Sequence, residues 1–324
     1  MESFDQNNSV FQNHHLVHTG RMDLADTQTR PDDAPLVALH RAAGVAWLEI
    51  THPPINALNR AVRRALRDAL LAIQDDAAVR AVVIASQGRM FSGGGDLREV
   101  GQPDPPGSTP LGELAELVER FPKPVVAAIK GKAMGGGVLL AMACHARVGS
   151  HDALLALPEV NLGFVPGAGG TQRLPRLVGI EAALEMVALA QPMKTDTALA
   201  TGWLDAVVPP DLDLRDTAAA WALAIAEGGR PWRRTADLGV PGGPATPSLL
   251  ARYRELAAER FGEREAVQEA ITLIARAAER PFTAGAAAER EAYLRLASSE
   301  QTQGLVAAFF AARQKDPKTK SATP

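Results

Sequence analysis

Twice in this chain a run of aliphatic residues leads into a turn built on three consecutive glycines. Ala81-Val-Val-Ile-Ala85 precedes Phe91-Ser-Gly-Gly-Gly-Asp-Leu97, and Pro124-Val-Val-Ala-Ala-Ile129 precedes Ala133-Met-Gly-Gly-Gly-Val-Leu-Leu140. Near-continuous apolar runs of this length read as strands of a sheet covered on both faces. Three glycines strip the turn of side chains and let its backbone approach another group closely. Helix-compatible apolar sequence after each triplet puts the turn at a helix N-terminus, where amide N–H groups have no intrahelical partner. Two such turns can offer two backbone donors to one oxyanion. The order strand, helix, strand, glycine turn, helix, strand, glycine turn, helix predicts an α/β fold with function on the loops leaving the strands.

Around this centre the remaining elements follow from periodicity. Gly44 to Ile50 predicts a strand, and His52 to Leu58 a turn that two prolines keep out of helix. Asn59 caps a helix whose apolar face is Val62, Leu66, Ala69, Leu70 and Ile73. Helices are expected over 111–120, from the second glycine turn to Ala143, over 180–190 and over 195–201, with strands near 146–149 and 153–157. Between Gly228 and Pro247 lie five glycines and four prolines, which marks a boundary. The expected organisation is a polar tail (1–34), a core (35–228), a linker (229–247), a helical segment (248–314, with helices over 248–261, 264–279 and 286–313) and a basic tail (315–324).

Composition removes several classes of function. A net charge of −3 leaves no basic surplus for nucleic acid. One cysteine, Cys144, excludes an intrachain disulfide and a multi-cysteine zinc site, and its small apolar neighbours give it a packing role. No run is long enough for a membrane span. The first 34 residues have neither the basic and apolar regions of a signal peptide nor the acid-poor character of a transit peptide, so the expected compartment is the cytoplasm. Met22 is an alternative start. His14, His15 and His18 read as a solvated tail rather than metal ligands, and no metal is expected. There is no G-x-G-x-x-G for a nicotinamide cofactor, and no G-x-S-x-G or H-E-x-x-H for two standard hydrolase chemistries.

Glu159 completes a site. It lies in Leu157-Pro-Glu-Val-Asn-Leu-Gly-Phe-Val-Pro-Gly-Ala-Gly-Gly-Thr-Gln-Arg173, flanked by apolar residues and stiffened by Pro158. A carboxylate shielded from water has a pKa near working pH and can move a proton. Loss of an α-proton from a thioester, or addition at its β-carbon, puts negative charge on the carbonyl oxygen. The candidate donors to that oxygen are the amides of Gly95 and Gly136, each worth roughly 3 kcal/mol in such a role.

These residues resemble the crotonase superfamily, the enoyl-CoA hydratase/isomerase group. The resemblance runs from about Val37 to Pro209 and includes Pro53-Pro-Ile-Asn-Ala-Leu58, both glycine turns, Pro158-Glu159, Pro166-Gly-Ala-Gly-Gly-Thr-Gln-Arg173 and Ala198-Leu-Ala-Thr-Gly-Trp-Leu-Asp-Ala-Val-Val208. Pro281 to Glu291 and Phe309 to Arg313 are similar to the helical segment that follows this core in multifunctional β-oxidation proteins. The resemblance implies a spiral of ββα units and an acyl-CoA thioester as substrate, with no cofactor beyond the coenzyme A that the substrate carries. It implies that Gly95 and Gly136 form the oxyanion hole and that Gly95, Asp96, Leu97 and Arg98 line the CoA site. Ala57 and Leu58 then lie near the adenine, and Arg60 or Arg98 meets the phosphates. For assembly it implies a homo-oligomer, trimer or hexamer, or a β-oxidation partner enzyme.

One position departs from the pattern. Hydratases of this family use two glutamates, the first three residues after the second oxyanion glycine; here that position is Leu139. The second glutamate matches Glu159. A single glutamate resembles the Δ3,Δ2-enoyl-CoA isomerases, in which one base lifts a proton from C2 and returns it to C4. The alternatives are a hydratase in which Glu99 or Asp96 replaces the missing acid, a non-catalytic CoA-thioester binder, and the hydrolysis, dehalogenation or decarboxylation run by related scaffolds.

Overall fold

The computed structural model describes residues 34–315. The tails expected at 1–34 and 315–324, with the three N-terminal histidines and Met22, lie outside the described residues but for Ala34 and Lys315. In chain order the elements are β1 (Val37–Ala42), β2 (Val45–Ile50), α1 (Arg60–Ile73), β3 (Ala81–Ser86), α2 (Leu111–Glu119), β4 (Val125–Ile129), β5 (Lys132–Met134) and α3 (Gly136–Ala143). Then come β6 (Ala146–Ser150), β7 (Leu154–Ala156), α4 (Gly170–Val178), α5 (Ile180–Val187), β8 (Met193–Lys194), α6 (Thr195–Ala200), β9 (Ala206–Val208) and α7 (Leu214–Ala226). The last four helices are α8 (Pro247–Phe261), α9 (Glu265–Ala275), α10 (Phe282–Ala297) and α11 (Glu300–Lys315).

The spiral arises because successive units place one strand in each of two sheets. A six-stranded sheet runs β1-β2-β3-β4-β6-β9, parallel except for the β1–β2 hairpin. A second, three-stranded sheet runs β5-β7-β8. Thus β4 and β6 enter the first sheet, and the strands that follow them, β5 and β7, pair in parallel in the second. The turn after β3 joins the same scheme through a parallel bridge from Ser92 to Ala133.

Alternation along the central strands feeds two cores. Val82 and Ile84 point to the larger one, with Val62, Leu66, Leu70 and Ile73 of α1. Ala81, Val83 and Ala85 point to the other face, covered by Ala218, Ala222 and Ile225 of α7. Each fully buried aliphatic side chain contributes about 1.5–3 kcal/mol of transfer free energy. Asn59 caps α1 as the sequence indicates, its side chain accepting from Val62 N. All eight residues of α3 are buried, which explains a helix with no polar face.

Some elements differ from the sequence expectation. β1 was not anticipated because it is an edge strand, half-buried at one end and exposed at the other through His40, Arg41 and Ala42. α4 and α7 were missed: the first carries Pro175 inside it, and the second is largely alanine, with a weak pattern. The helix expected over 286–313 is two helices, α10 and α11. Ser298 Oγ turns back to Leu294 O and Ser299 Oγ accepts from Thr302 N, so the serine pair ends one helix and caps the next. The 229–247 stretch is tied to the core by Thr235 Oγ1, which donates to Met142 O, and by Ala236 N, which donates to Glu119.

Candidate active site

The two glycine turns are stitched together backbone to backbone. Phe91 N donates to Lys132 O (3.0 Å) and Met134 N to Ser92 O (2.9 Å). From the other side, Gly93 N donates to Ile55 O (2.7 Å) and Leu58 N to Gly94 O (2.8 Å), so the 52–58 turn clamps the first glycine turn. Ser92 Oγ donates to Asn56 O and accepts from Gly94 N. A side chain at these glycines would wedge the turns apart. A β-carbon on Gly94, whose φ is +99°, would lie 2.9 Å from Met134 O, and one on Gly136 would lie 3.0 Å from Gly95 N. Gly95 and Gly136 therefore approach each other backbone to backbone, with Leu111 Cδ2 beside the gap at Gly136. Among the described residues, neither of their amides donates to another group. Gly136 is the first residue of α3, so the positive end of that helix meets the gap.

Glu159 sits beside this pair. It opens a single 3-10 turn, Glu159–Leu162, and is 7% exposed. Its Oε1 lies 3.3 Å from where a β-carbon on Gly135 would be, one residue before the Gly136 amide. Its Oε2 is buried with no hydrogen-bond partner among the described residues. Burial pushes its pKa up to about 8; its own backbone amide pulls down against this, and the carboxylate of Glu289 adds to the rise. An unpaired buried acid of this kind is held near the point of proton transfer at neutral pH.

Leu139 lies one turn along α3 from Gly136 and is 3% exposed. Gly170, the first residue of α4, packs against it so closely that a β-carbon there would lie 2.5 Å from Leu139 Cδ2. The acids considered as substitutes are engaged elsewhere. Asp96 caps the 97–99 turn and forms a two-pronged ion pair with Arg98, while Glu99 accepts from Arg60 N and Arg63 Nη1. The Arg98 hydrogen bond holds the Asp96 carboxyl below its usual range.

The remaining expected site residues are placed as follows. Leu97 is half-buried and starts the 97–99 turn; Arg98 is exposed at the rim. Ala57 is half-buried, its carbonyl bonded to His52 Nδ1, whereas the Leu58 side chain is in the core and only its backbone reaches the glycine turn. Arg60 is held by Asp104 and Pro103 O. Cys144 is buried, with its thiol pushed up to about 12 by burial, consistent with packing. A hollow of about 610 Å³ at the α8–α9 turn has charged walls that include Arg254, Glu255 and Arg264; it lies behind the Glu159 turn, away from the two amides.

Sequence reasoning missed the residues that wall the site from a distance. Leu111, at the start of α2, would be 3.1 Å from a β-carbon on Gly136. Tyr293 of α10 lays its ring on Gly167 and meets Phe164 edge-on at 5.9 Å. Glu289 of α10 caps α4. Thr302 and Leu305 of α11 close on Gly163. Arg264 donates to Val160 O and Asn161 O on the Glu159 turn. Their residue types on or beside helices carry no sequence signal that names a partner.

The family model described as "Enoyl-CoA hydratase/isomerase" matches residues 40–238. A peroxisomal bifunctional enzyme of Danio rerio is 38% identical over 271 residues, 83% of this chain and 37% of its own length. A probable enoyl-CoA hydratase of Bacillus subtilis is 43% identical over 188 residues, 56% of this chain and 73% of its own. The crystal structure of an enoyl-CoA hydratase/isomerase from Pseudoalteromonas atlantica superposes with a TM-score of 0.61 at 25% identity, covering 86% of this chain and 97% of the other. The chain thus spans little more than a third of the bifunctional relative. No helix of the described residues is long and apolar enough to cross a membrane.

Proposed function

Because the chain belongs to the enoyl-CoA hydratase/isomerase family, we propose that it moves a double bond in an acyl-CoA thioester from C3 to C2, using Glu159 as its single proton carrier. The observation that carries this reading is Leu139: a buried leucine packed under Gly170 occupies the place three residues after Gly136, and Glu159 is the unpaired acid beside the amides. The thioester oxygen of a 3-enoyl-CoA sits between the amides of Gly95 and Gly136. The Glu159 carboxylate takes a proton from C2, and charge spreads through a dienolate onto the oxygen, where the two donors lower the barrier. The same carboxyl then returns its proton to C4, leaving the double bond at C2 and the glutamate ionised again. Leu139 keeps water from the dienolate.

Coenzyme A enters only as part of the substrate, with Ala57, Leu58, Asp96, Leu97 and Arg98 lining its path. The same reading places the enzyme in the cytoplasm, working as a trimer or hexamer or beside another β-oxidation enzyme.

Hydration of a 2-enoyl-CoA is the second reading. It is favoured by the pKa of about 8, which keeps Glu159 protonated at neutral pH and able to donate to the α-carbon. It lacks a group to activate the water, because Leu139 cannot and both Asp96 and Glu99 are engaged. The experiment is to offer purified protein a 3-enoyl-CoA and a 2-enoyl-CoA separately. Conversion of the first without hydration of the second supports isomerisation; hydration of the second overturns it; binding without turnover of either makes the chain a CoA-thioester binder. Leu139→Glu is expected to create hydratase activity, and a variant that gains none removes the role given to Leu139.

A further inference from the structure

The C-terminal helical segment reaches the site through one buried acid. Glu289 on α10 is fully buried, and its carboxylate accepts four hydrogen bonds: from Gly169 N (2.6 Å), Gly170 N (3.2 Å), Thr171 N (2.6 Å) and Thr171 Oγ1 (2.6 Å). Those donors belong to the start of α4, the stretch that presses Gly170 onto Leu139. One turn further along α10, on the same face, Tyr293 packs on Gly167 and Phe164. Four donors converging on one buried carboxylate are far more than the packing of α10 requires, and they favour its ionised form. A carboxylate in this place also raises the pKa of the second buried acid, Glu159, whose Oε2 has no hydrogen-bond partner among the described residues.

Building on Glu159 as the proton carrier, we propose that Glu289 is a positioning residue of this active site: its ionised carboxylate clamps the Gly169–Thr171 turn against Leu139 and sets the charge that Glu159 works against. Arg173 of α4 faces Glu289 and favours its ionised form, and the Glu289 charge raises the Glu159 pKa. Burial pushes the Glu289 pKa up to about 7, against the pull of Thr171, the Gly169 amide and Arg173. Tyr293, whose phenol is raised by burial, also feels the Glu159 charge.

The test follows the Glu159 carboxyl directly. In the full chain labelled with 13C-carboxyl glutamate, the Glu159 resonance is assigned by its loss in Glu159→Gln, then titrated in wild type and in Glu289→Gln. The proposal expects the midpoint to fall by about half a pH unit or more when the neighbouring charge is removed. The pH midpoint of kcat/KM for 3-enoyl-CoA is expected to move down with it. A role in folding alone lowers Tm and leaves both midpoints in place, and that result overturns the proposal. If Glu289→Gln does not fold, Thr171→Val keeps the carboxylate and removes one donor; a smaller shift in the same direction is expected, and an unmoved midpoint overturns the proposal. Because the carboxyl titration needs no turnover, a chain inactive on both substrates but with a shifted midpoint rejects the proposed reaction and keeps the Glu289–Glu159 pairing.

Discussion

The two glycine turns and the 159–171 wall are built in opposite ways. In the turns, the groups proposed to act are backbone amides, and the contacts that place them come from segments a few tens of residues away: Met134 N to Ser92 O, and Leu58 N to Gly94 O. In the wall, the group proposed to act is the Glu159 side chain, and the contacts come from residues more than a hundred positions later: Arg264, Glu289, Tyr293, Thr302 and Leu305. The first region needs the absence of side chains, whereas the second needs particular side chains delivered from elsewhere. Substitutions in the turns should therefore cost rate with little stability. Substitutions under the wall should cost stability, and rate through it.

The strongest test of that contrast is Glu159→Gln. Loss of the proton carrier is expected to reduce isomerisation by roughly 10³-fold, within the range known for general acid–base groups, with the fold intact by circular dichroism. A loss below about tenfold would place the proton transfer on another group. Next in size is Gly136→Ala. Its φ lies outside the left-handed region, so the variant tests the approach of the turns alone: the β-carbon meets Gly95 N at 3.0 Å and Leu111 Cδ2 at 3.1 Å. A fall in kcat of about 10²-fold with a small change in Tm is expected, in line with removal of one oxyanion donor. The matching probe of the wall is Gly163→Ala, where φ is +87° and a β-carbon would lie 2.8 Å from Thr302 Oγ1. It should cost about 1–3 kcal/mol in a denaturant melt, with the rate falling less than in Gly136→Ala. A reversed order of rate losses would break the contrast.

The smallest expected effect is a pH dependence that reads the burial of Glu159. In the fold it titrates at about 8 against an ordinary 4.5, so the folded chain holds a proton that the unfolded chain releases across that window. The stability contributed by Glu159 is full below pH 4.5 and is lost as pH rises to about 8. Glu159→Gln removes the decline, so its Tm should exceed that of wild type more at about pH 9 than at about pH 6. Wild-type kcat/KM for isomerisation should rise through about pH 8, where the base ionises; hydration with Glu159 as proton donor should fall through the same pH.

What was legible in the sequence has a common cause. β3 and β4 are unbroken aliphatic runs because both faces of the sheet are covered, and burial of that kind is written residue by residue. Gly94 and Gly135 declare themselves because φ values of +99° and +47° tolerate little else. Leu139 could be flagged because a missing carboxyl is visible as a letter. β1, α4 and α7 were not legible: an edge strand, a helix with an internal proline and an alanine-rich helix owe their form to what they pack on. Ala218 and Ala222 become core residues only when α7 lies on Val83 and Val126.

By itself, then, the amino-acid order determined the repeating strand–turn–helix units, the bare amides of Gly95 and Gly136, and the acid at Glu159. Those depend on backbone freedom and local apolarity, which each short stretch carries with it. Tertiary structure decided how far Glu159 loses the water that its apolar flanks already suggested it would lose, that Gly170 closes on Leu139 and that Glu289 and Tyr293 come up beneath the wall. Desolvation and charge pairing act between groups brought near by the whole fold, and no local pattern encodes a distance between Glu159 and Glu289.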